Sequence, residues 1–250
     1  MSIKVFNHED AKGVFKPKSK SQAILIEEIE RGVINDSLLK EANMDLSGPI
    51  YKIYTVASMF LRACTLMLDA RNELDVGGFM LMERDARNST EAEKTGNLVA
   101  NIKPGYILKS IAARENVELG LLDIHLPGMD GIISIPVKKD FTDEDRAIML
   151  KLQTLAAKLL SGYKYGLVPE QWTIYVMSFL FLKHATMVAM RHAVIDEMCL
   201  INCADIIEIT VTYDKDKDSF KVKCKPSKEA KLEVKSEIDD ELGVLPPRVC

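Results

Sequence analysis

Four residues late in the chain have the types that bind transition metals. Cys199 and Cys203 are four apart, with His184 and His192 before them. On one helix these side chains could share a face. Structural zinc normally takes closer cysteine pairs, such as C-x2-C, and free cysteine is a common core residue. Buried thiols are therefore the expected reading, with no metal. The five cysteines, at 64, 199, 203, 224 and 250, are odd in number and irregular in spacing, which argues against a disulfide framework. No G-x-S-x-G, G-x-x-x-x-G-K-[ST] or G-x-G-x-x-G stretch occurs, so a nucleophile elbow, a P-loop and a dinucleotide fingerprint lack support. Triads can assemble from distant positions, yet nothing here forms a complete catalytic motif. The expectation is a non-enzyme without a cofactor.

The loudest local motif is Leu121-Leu-Asp-Ile-His-Leu-Pro-Gly-Met-Asp-Gly131. It resembles the phosphoacceptor turn of bacterial response regulators, which would make Asp123 the phosphoryl acceptor beside a magnesium ion. That chemistry needs further carboxylates to hold the metal. Upstream, Glu73 and Asp75 precede Gly77-Gly78 without the strand and acid-pair context. The plain alternative is two strands joined by a Pro-Gly turn, with Asp130 as a turn acid.

Polyanion binding is the other chemistry on offer. Lys221, Lys223 and Lys225 alternate, so in a strand they share one face. With Lys215, Lys217 and Lys228 they could neutralise phosphates and give salt-dependent binding. Only Tyr213 and Phe220 lie near enough in sequence to stack on bases. The bland reading is a charged edge strand that resists aggregation. The whole chain of 250 residues has a net charge of −4, so any grip on a polyanion must be local.

The positioning elements follow from composition and pattern. Hydrophobic residues make up 47% and charged residues 28%, an ordinary globular balance. The start, MSIKVFNHEDAKG, does not read as a signal peptide. Residues 172–182, the longest apolar region, are short of the ~20 residues a bilayer span needs. A soluble protein in a reducing compartment is expected. Residues 1–20 read as a mobile basic lead, 21–228 as a single domain, and 229–250 as an acidic flexible tail.

Within the domain, Ser21 reads as the cap of a helix carrying Ile24, Leu25, Ile29 and Val33, frayed at Gly32. Residues 50–68 begin with β-branched and aromatic residues that favour strand; from Met59 onward helix fits equally. Gly77-Gly78 turns the chain into a short strand at 79–82. Further short strands are expected at 98–102, 106–111 and 119–124, and another at 132–137, with Pro136 at an edge or end. Thr142-Asp-Glu-Asp145 reads as a capping box opening a helix that ends at Gly162. Residues 172–182 fit strand or helix, and the Met/Ala-rich continuation to Met198 fits helix. Residues 206–213 and 220–225 form a hairpin. The fold class expected is α+β: a β-rich core, jelly-roll-like sandwich or barrel, with flanking helices and a C-terminal hairpin.

The order of these elements resembles the plant-virus cell-to-cell movement proteins of the thirty-kilodalton superfamily. The resemblance runs over residues 50–184: an apolar region, then Gly77-Gly78-Phe-Met-Leu-Met with Asp85-x-Arg87 following, short strands, the Thr142-Asp-Glu-Asp145 helix, Pro169 and an apolar segment. It implies that Asp85 and Arg87 are the family-diagnostic structural pair. It also implies non-specific binding of single-stranded viral nucleic acid, contact with host membrane or plasmodesmal proteins, and location in the cytoplasm and at cell junctions of a host cell, with self-association an open question. Two rival readings accompany it. One is a helix-rich viral structural protein, nucleocapsid or matrix, favoured if 59–71 and 172–198 are both helical. The other is the phosphoacceptor at Asp123.

Overall fold

The structure is a computed structural model and describes residues 16–37, 51–84, 100–115, 119–125, 132–161, 171–204 and 206–227. It has the expected α+β composition. In chain order the elements are α1 (Lys20–Ile34), α2 (Lys52–Ala70), β1 (Glu73–Val76), β2 (Met80–Arg84), β3 (Ala100–Pro104), α3 (Tyr106–Ala113), β4 (Gly120–His125), β5 (Ile132–Val137), α4 (Asp143–Ser161), α5 (Gln171–Asp196), β6 (Met198–Cys203), β7 (Ile207–Asp214) and β8 (Ser219–Pro226). The strands form three antiparallel groups, β1-β2-β3, β4-β5 and β6-β7-β8.

The centre is helical, and this corrects the β-rich expectation. α2, α4 and α5 pack on one another, α1 lies on α5, and the sheets flank this group. Among the described residues the strands form no two-sheet jelly roll. Phe181, Met59, Leu61 and Leu68 are fully buried, each contributing on the order of 2 kcal/mol by burial. From Ile174 to Leu182 every position of α5 is buried, because helices and sheet surround that half. A helix apolar all round carries no amphipathic period. Thr173–Asp196 is long and apolar enough to cross a membrane, but 72% of its most apolar window is buried inside the fold. It therefore serves as a core helix here.

Residues 50–68, whose start favoured strand, supply α2. The reason is tertiary. Tyr51, at φ 70°, provides no side-chain cap; instead Glu30 of α1 accepts the backbone N–H of Tyr51 at 2.7 Å and of Tyr54 at 2.9 Å. A carboxylate from another helix thus satisfies donors that a helix start leaves open. Burial raises the pKa of Glu30, and the donors of Tyr54, Tyr51 and Ile53 offset only part of that rise.

Smaller corrections have similar causes. α1 is capped by Ser19, whose Oγ accepts from the Gln22 N–H at 3.2 Å, and not by Ser21. α1 also runs through Gly32 to Ile34, since the His184 ring fills the space a Cβ would need (Nδ1 at 2.6 Å). Residues 106–111 form α3 rather than a strand, with the Ile107 N–H donating to Gly78 O at 3.1 Å. The α4 capping box is as expected: Thr142 N–H donates to Asp145 Oδ2 at 2.8 Å, and Asp145 N–H to Thr142 Oγ1 at 3.2 Å.

Candidate nucleic-acid interface

β8 alternates as its sequence implied. Val222 and Cys224 are buried, while Lys221, Lys223 and Lys225 are exposed on the other face. The register sets Thr212 beside Lys221, Thr210 beside Lys223 and Glu208 beside Lys225. Successive lysines on such a strand stand about 7 Å apart. Lys225 Nζ lies 2.9 Å from Glu208 Oε2. That oxygen has no hydrogen bond of good geometry, so the contact is a Coulombic pair rather than an aligned bond. Among the described residues neither Lys221 nor Lys223 has an ion pair. The face therefore carries a surplus of positive charge.

The two nearby aromatics sit on the opposite side. Tyr213 and Phe220 are register partners in line with Val211 and Val222. Their ring centroids are 4.8 Å apart, and the Arg114 guanidinium lies 4.8 Å from the Phe220 centroid. Neither ring can stack on a base lying across the lysines. The face can thus neutralise phosphates but offers no aromatic platform, which removes the stacking half of the single-strand binding device.

The β6 edge of this sheet is held from α1. Gln22 of α1 makes two bonds to β6, its Nε2 donating to Leu200 O at 3.0 Å and its Oε1 accepting from Asn202 N–H at 2.9 Å. A side-chain amide here does the work of a neighbouring strand. β8 lies alongside β3. The two strands belong to separate sheets, and the lysine face is the exposed surface of β8.

A second lysine site, missed from sequence, lies where several elements meet. Lys138, just after β5, has its Nζ 2.7 Å from Asp145 Oδ1 of α4 and 3.1 Å from Asp75 Oδ2 of β1. Partial burial alone would lower its pKa, but the two carboxylates outweigh this and raise it. Burial would raise Asp145; Lys138 and the Thr142 donors reverse that and lower it. Asp75 Oδ1 also accepts the Gly78 N–H at 2.8 Å. Gly77 and Gly78 turn the chain with φ of 59° and 80°. A Cβ on Gly105 would stand 2.1 Å from Gly78 O, so the turn and the start of α3 touch backbone to backbone. Tyr106 is part of the same knot: its OH accepts the Lys139 N–H at 3.0 Å. A protonated lysine between two carboxylates is a fastener, not a nucleophile.

The remaining candidates fall apart as chemistry. Asp123 is exposed in the middle of the antiparallel β4-β5 hairpin, where Ser134 Oγ donates to it. That position is not the end of a parallel strand, and no metal-holding group of three His, Cys, Asp or Glu forms among the described residues. Cys199 and Cys203 lie on strand β6, not on a helix with the histidines, and both are buried. Burial pushes the Cys199 thiol up to about 11 and raises Cys203 as well. His184 Nε2 meets Asp36, just beyond the end of α1, at 2.7 Å, and His192 Nε2 meets Glu28 of α1 at 3.1 Å. Lys183 also reaches Asp36, at 2.8 Å. Asp85, Arg87, residues 1–15 of the basic lead and the segment 229–250 lie outside the described residues.

No family model, curated protein or solved structure matches the chain.

Proposed function

We propose that this chain is a non-catalytic viral protein that binds single-stranded nucleic acid through its phosphates, without sequence preference. One observation carries the reading: Lys221, Lys223 and Lys225 share an open sheet face while their alternates are buried. Contact with about two phosphates, one for each lysine that meets no carboxylate among the described residues, implies a slope near −1.4 in log affinity against log salt for a single strand. Polarisation of a labelled 20-nucleotide polyuridylate, titrated at several salt concentrations, tests this; no slope, or no binding at 50 mM salt, removes the proposal.

Two settings suit such an activity. Cell-to-cell movement through plasmodesmata is supported by the order of elements and by the capped α4 helix at Thr142. A structural role, as a nucleocapsid or matrix component, is supported by α2 and α5, which make nearly all of 59–71 and 172–198 helical. The helical centre favours the structural role, because the movement reading expected strands in both places. A fluorescent fusion in leaf epidermis separates them: puncta at cell junctions support movement, and diffuse or inclusion-like signal supports assembly.

A further inference from the structure

We infer that the outer face of the β6-β7-β8 sheet is a two-row track for a single strand: Lys221 and Lys223 take the phosphates, and Met198 and Leu200, across the sheet on β6, take the bases. The inference rests on the phosphate-binding reading and adds to it the direction in which the nucleotides lie. Burial alternates along β6. Cys199, Ile201 and Cys203 face the core, so Met198 and Leu200 stand on the side of the sheet that carries the lysines. The register then builds two complete rows. Met198, Thr212 and Lys221 form one, and Leu200, Thr210 and Lys223 form the next. With neighbouring strands about 4.8 Å apart, each row runs about 10 Å from its apolar end to its charged end. That is about the reach of a nucleotide from phosphate to base. The rows stand about 7 Å apart, close to the separation of neighbouring phosphates in an extended strand.

Charge sets the extent of the track. Lysines beyond the two rows are answered by acids: Lys225 meets Glu208 at 2.9 Å at one end, and at the other Lys215 meets Glu197 at 3.0 Å and Lys217 meets Asp214 at 3.2 Å. Lys221 and Lys223, which meet no acid among the described residues, are the two whose rows end in Met198 and Leu200. Surplus charge and apolar surface therefore coincide, which a stripe of lysines that only resists aggregation does not require. Met198 is 55% exposed, and Leu200, Thr210 and Thr212 are half-buried. The threonines between the two ends are short and leave the floor of each row low. An unbranched, polarizable methionine adapts to a base of any shape, in keeping with binding that ignores sequence. It supplies the base contact that Tyr213 and Phe220, on the other side of β8, cannot give. A duplex turns its bases inward, so this face favours unpaired strands.

The test separates bases from phosphates on the full chain. The 20-nucleotide polyuridylate is compared with an abasic ribose-phosphate oligomer of the same length and charge, each titrated at several salt concentrations. The parent is expected to bind polyuridylate about fivefold tighter, the scale of partly burying one or two apolar side chains. The two salt slopes should be equal, because the base contact releases no counterions. Met198→Ser/Leu200→Ser should bring polyuridylate down to the abasic oligomer with its slope unchanged, and that unchanged slope shows the lysine face still folded. Met198→Leu should keep the preference. Ile34→Ser, which removes an exposed apolar side chain on α1, should keep it too. If the parent binds both oligomers alike with the expected slope, the base contact is overturned and phosphate binding stands. A preference that survives Met198→Ser/Leu200→Ser, or that Ile34→Ser abolishes, places the bases elsewhere and overturns the track. If neither oligomer binds at 50 mM salt, the phosphate reading fails and the track falls with it.

Discussion

The protein uses lysine in two opposite ways, at the Lys138 junction and on the β8 face. Lys138 is largely enclosed and meets two carboxylates, Asp145 and Asp75, from different elements. Its charge is consumed inside the fold. Lys221, Lys223 and Lys225 stand on an exposed strand, and among the described residues only Lys225 meets an acid. Their charge is left for something outside the folded body. The contrast teaches that lysine content says little about binding; what matters is how many carboxylates the fold brings to each ammonium. It also separates two measurable quantities. Changes at the junction should move stability and leave ionic-strength effects alone, and changes on the face should do the reverse.

The largest expected effect is at the junction. Gly105→Ala would place a methyl group 2.1 Å from Gly78 O, a backbone atom that cannot turn aside. A loss of about 3 kcal/mol is expected in urea unfolding, high among single substitutions. The folded fraction should keep its salt slope for RNA. A smaller loss would mean that the β1-β2 turn and α3 can part without cost.

Lys138→Met should cost about 2 kcal/mol at pH 7, since it leaves partly buried carboxylates facing each other. The pH dependence has a definite sign. Asp145 is lowered in the folded state, so its contribution is present above the unfolded carboxylate value and is lost as pH falls through the folded one. Lys138 is raised, so its contribution is present below the unfolded lysine value and is lost as pH rises through the folded one. The parent and Lys138→Met should therefore converge below about pH 4. Glu30 behaves oppositely to Asp145: with a raised folded pKa, its ionisation costs stability as pH rises through that value. Parallel unfolding curves for parent and variant from pH 7 to pH 3 would contradict the pairing.

On the face, Lys221→Gln/Lys223→Gln should leave stability within about 0.5 kcal/mol, as exposed substitutions usually do. It should weaken polyuridylate binding about tenfold at 50 mM salt and flatten the slope from near −1.4 to near zero. A loss of stability with an unchanged slope would break the comparison.

These two sites also differ in how readable they were. The β8 lysines announce themselves because a strand alternates with period 2 and the sequence does too. The Thr142–Asp145 box is equally local. Lys138 carries no such mark: its partners lie 63 positions upstream and 7 downstream, and only packing brings them together. The same holds for α2, where the strand-favouring run Tyr51, Ile53, Tyr54, Thr55 and Val56 becomes helical because Glu30, 21 to 24 positions away, supplies the cap. In α5 the buried run Ile174 to Leu182 gave no period to read, since no side of that half faces water. Strand β6 was lost beside it, and with it the fact that Cys199 and Cys203 belong to a sheet.

The smallest effect tests the paired lysine. Glu208 is nearly buried and lies 2.9 Å from Lys225, so the fold has already spent one of the three positive charges. Glu208→Gln keeps the shape, removes the carboxylate charge and frees Lys225. If the face works by counting unpaired ammonium groups, polyuridylate should bind two- to threefold tighter at 50 mM salt, and the slope should steepen by up to about 0.7, one phosphate's worth. Stability should fall only slightly, because an aligned hydrogen bond is not lost. An unchanged slope would place Lys225 outside the path of the phosphates and confine the binding track to Lys221 and Lys223.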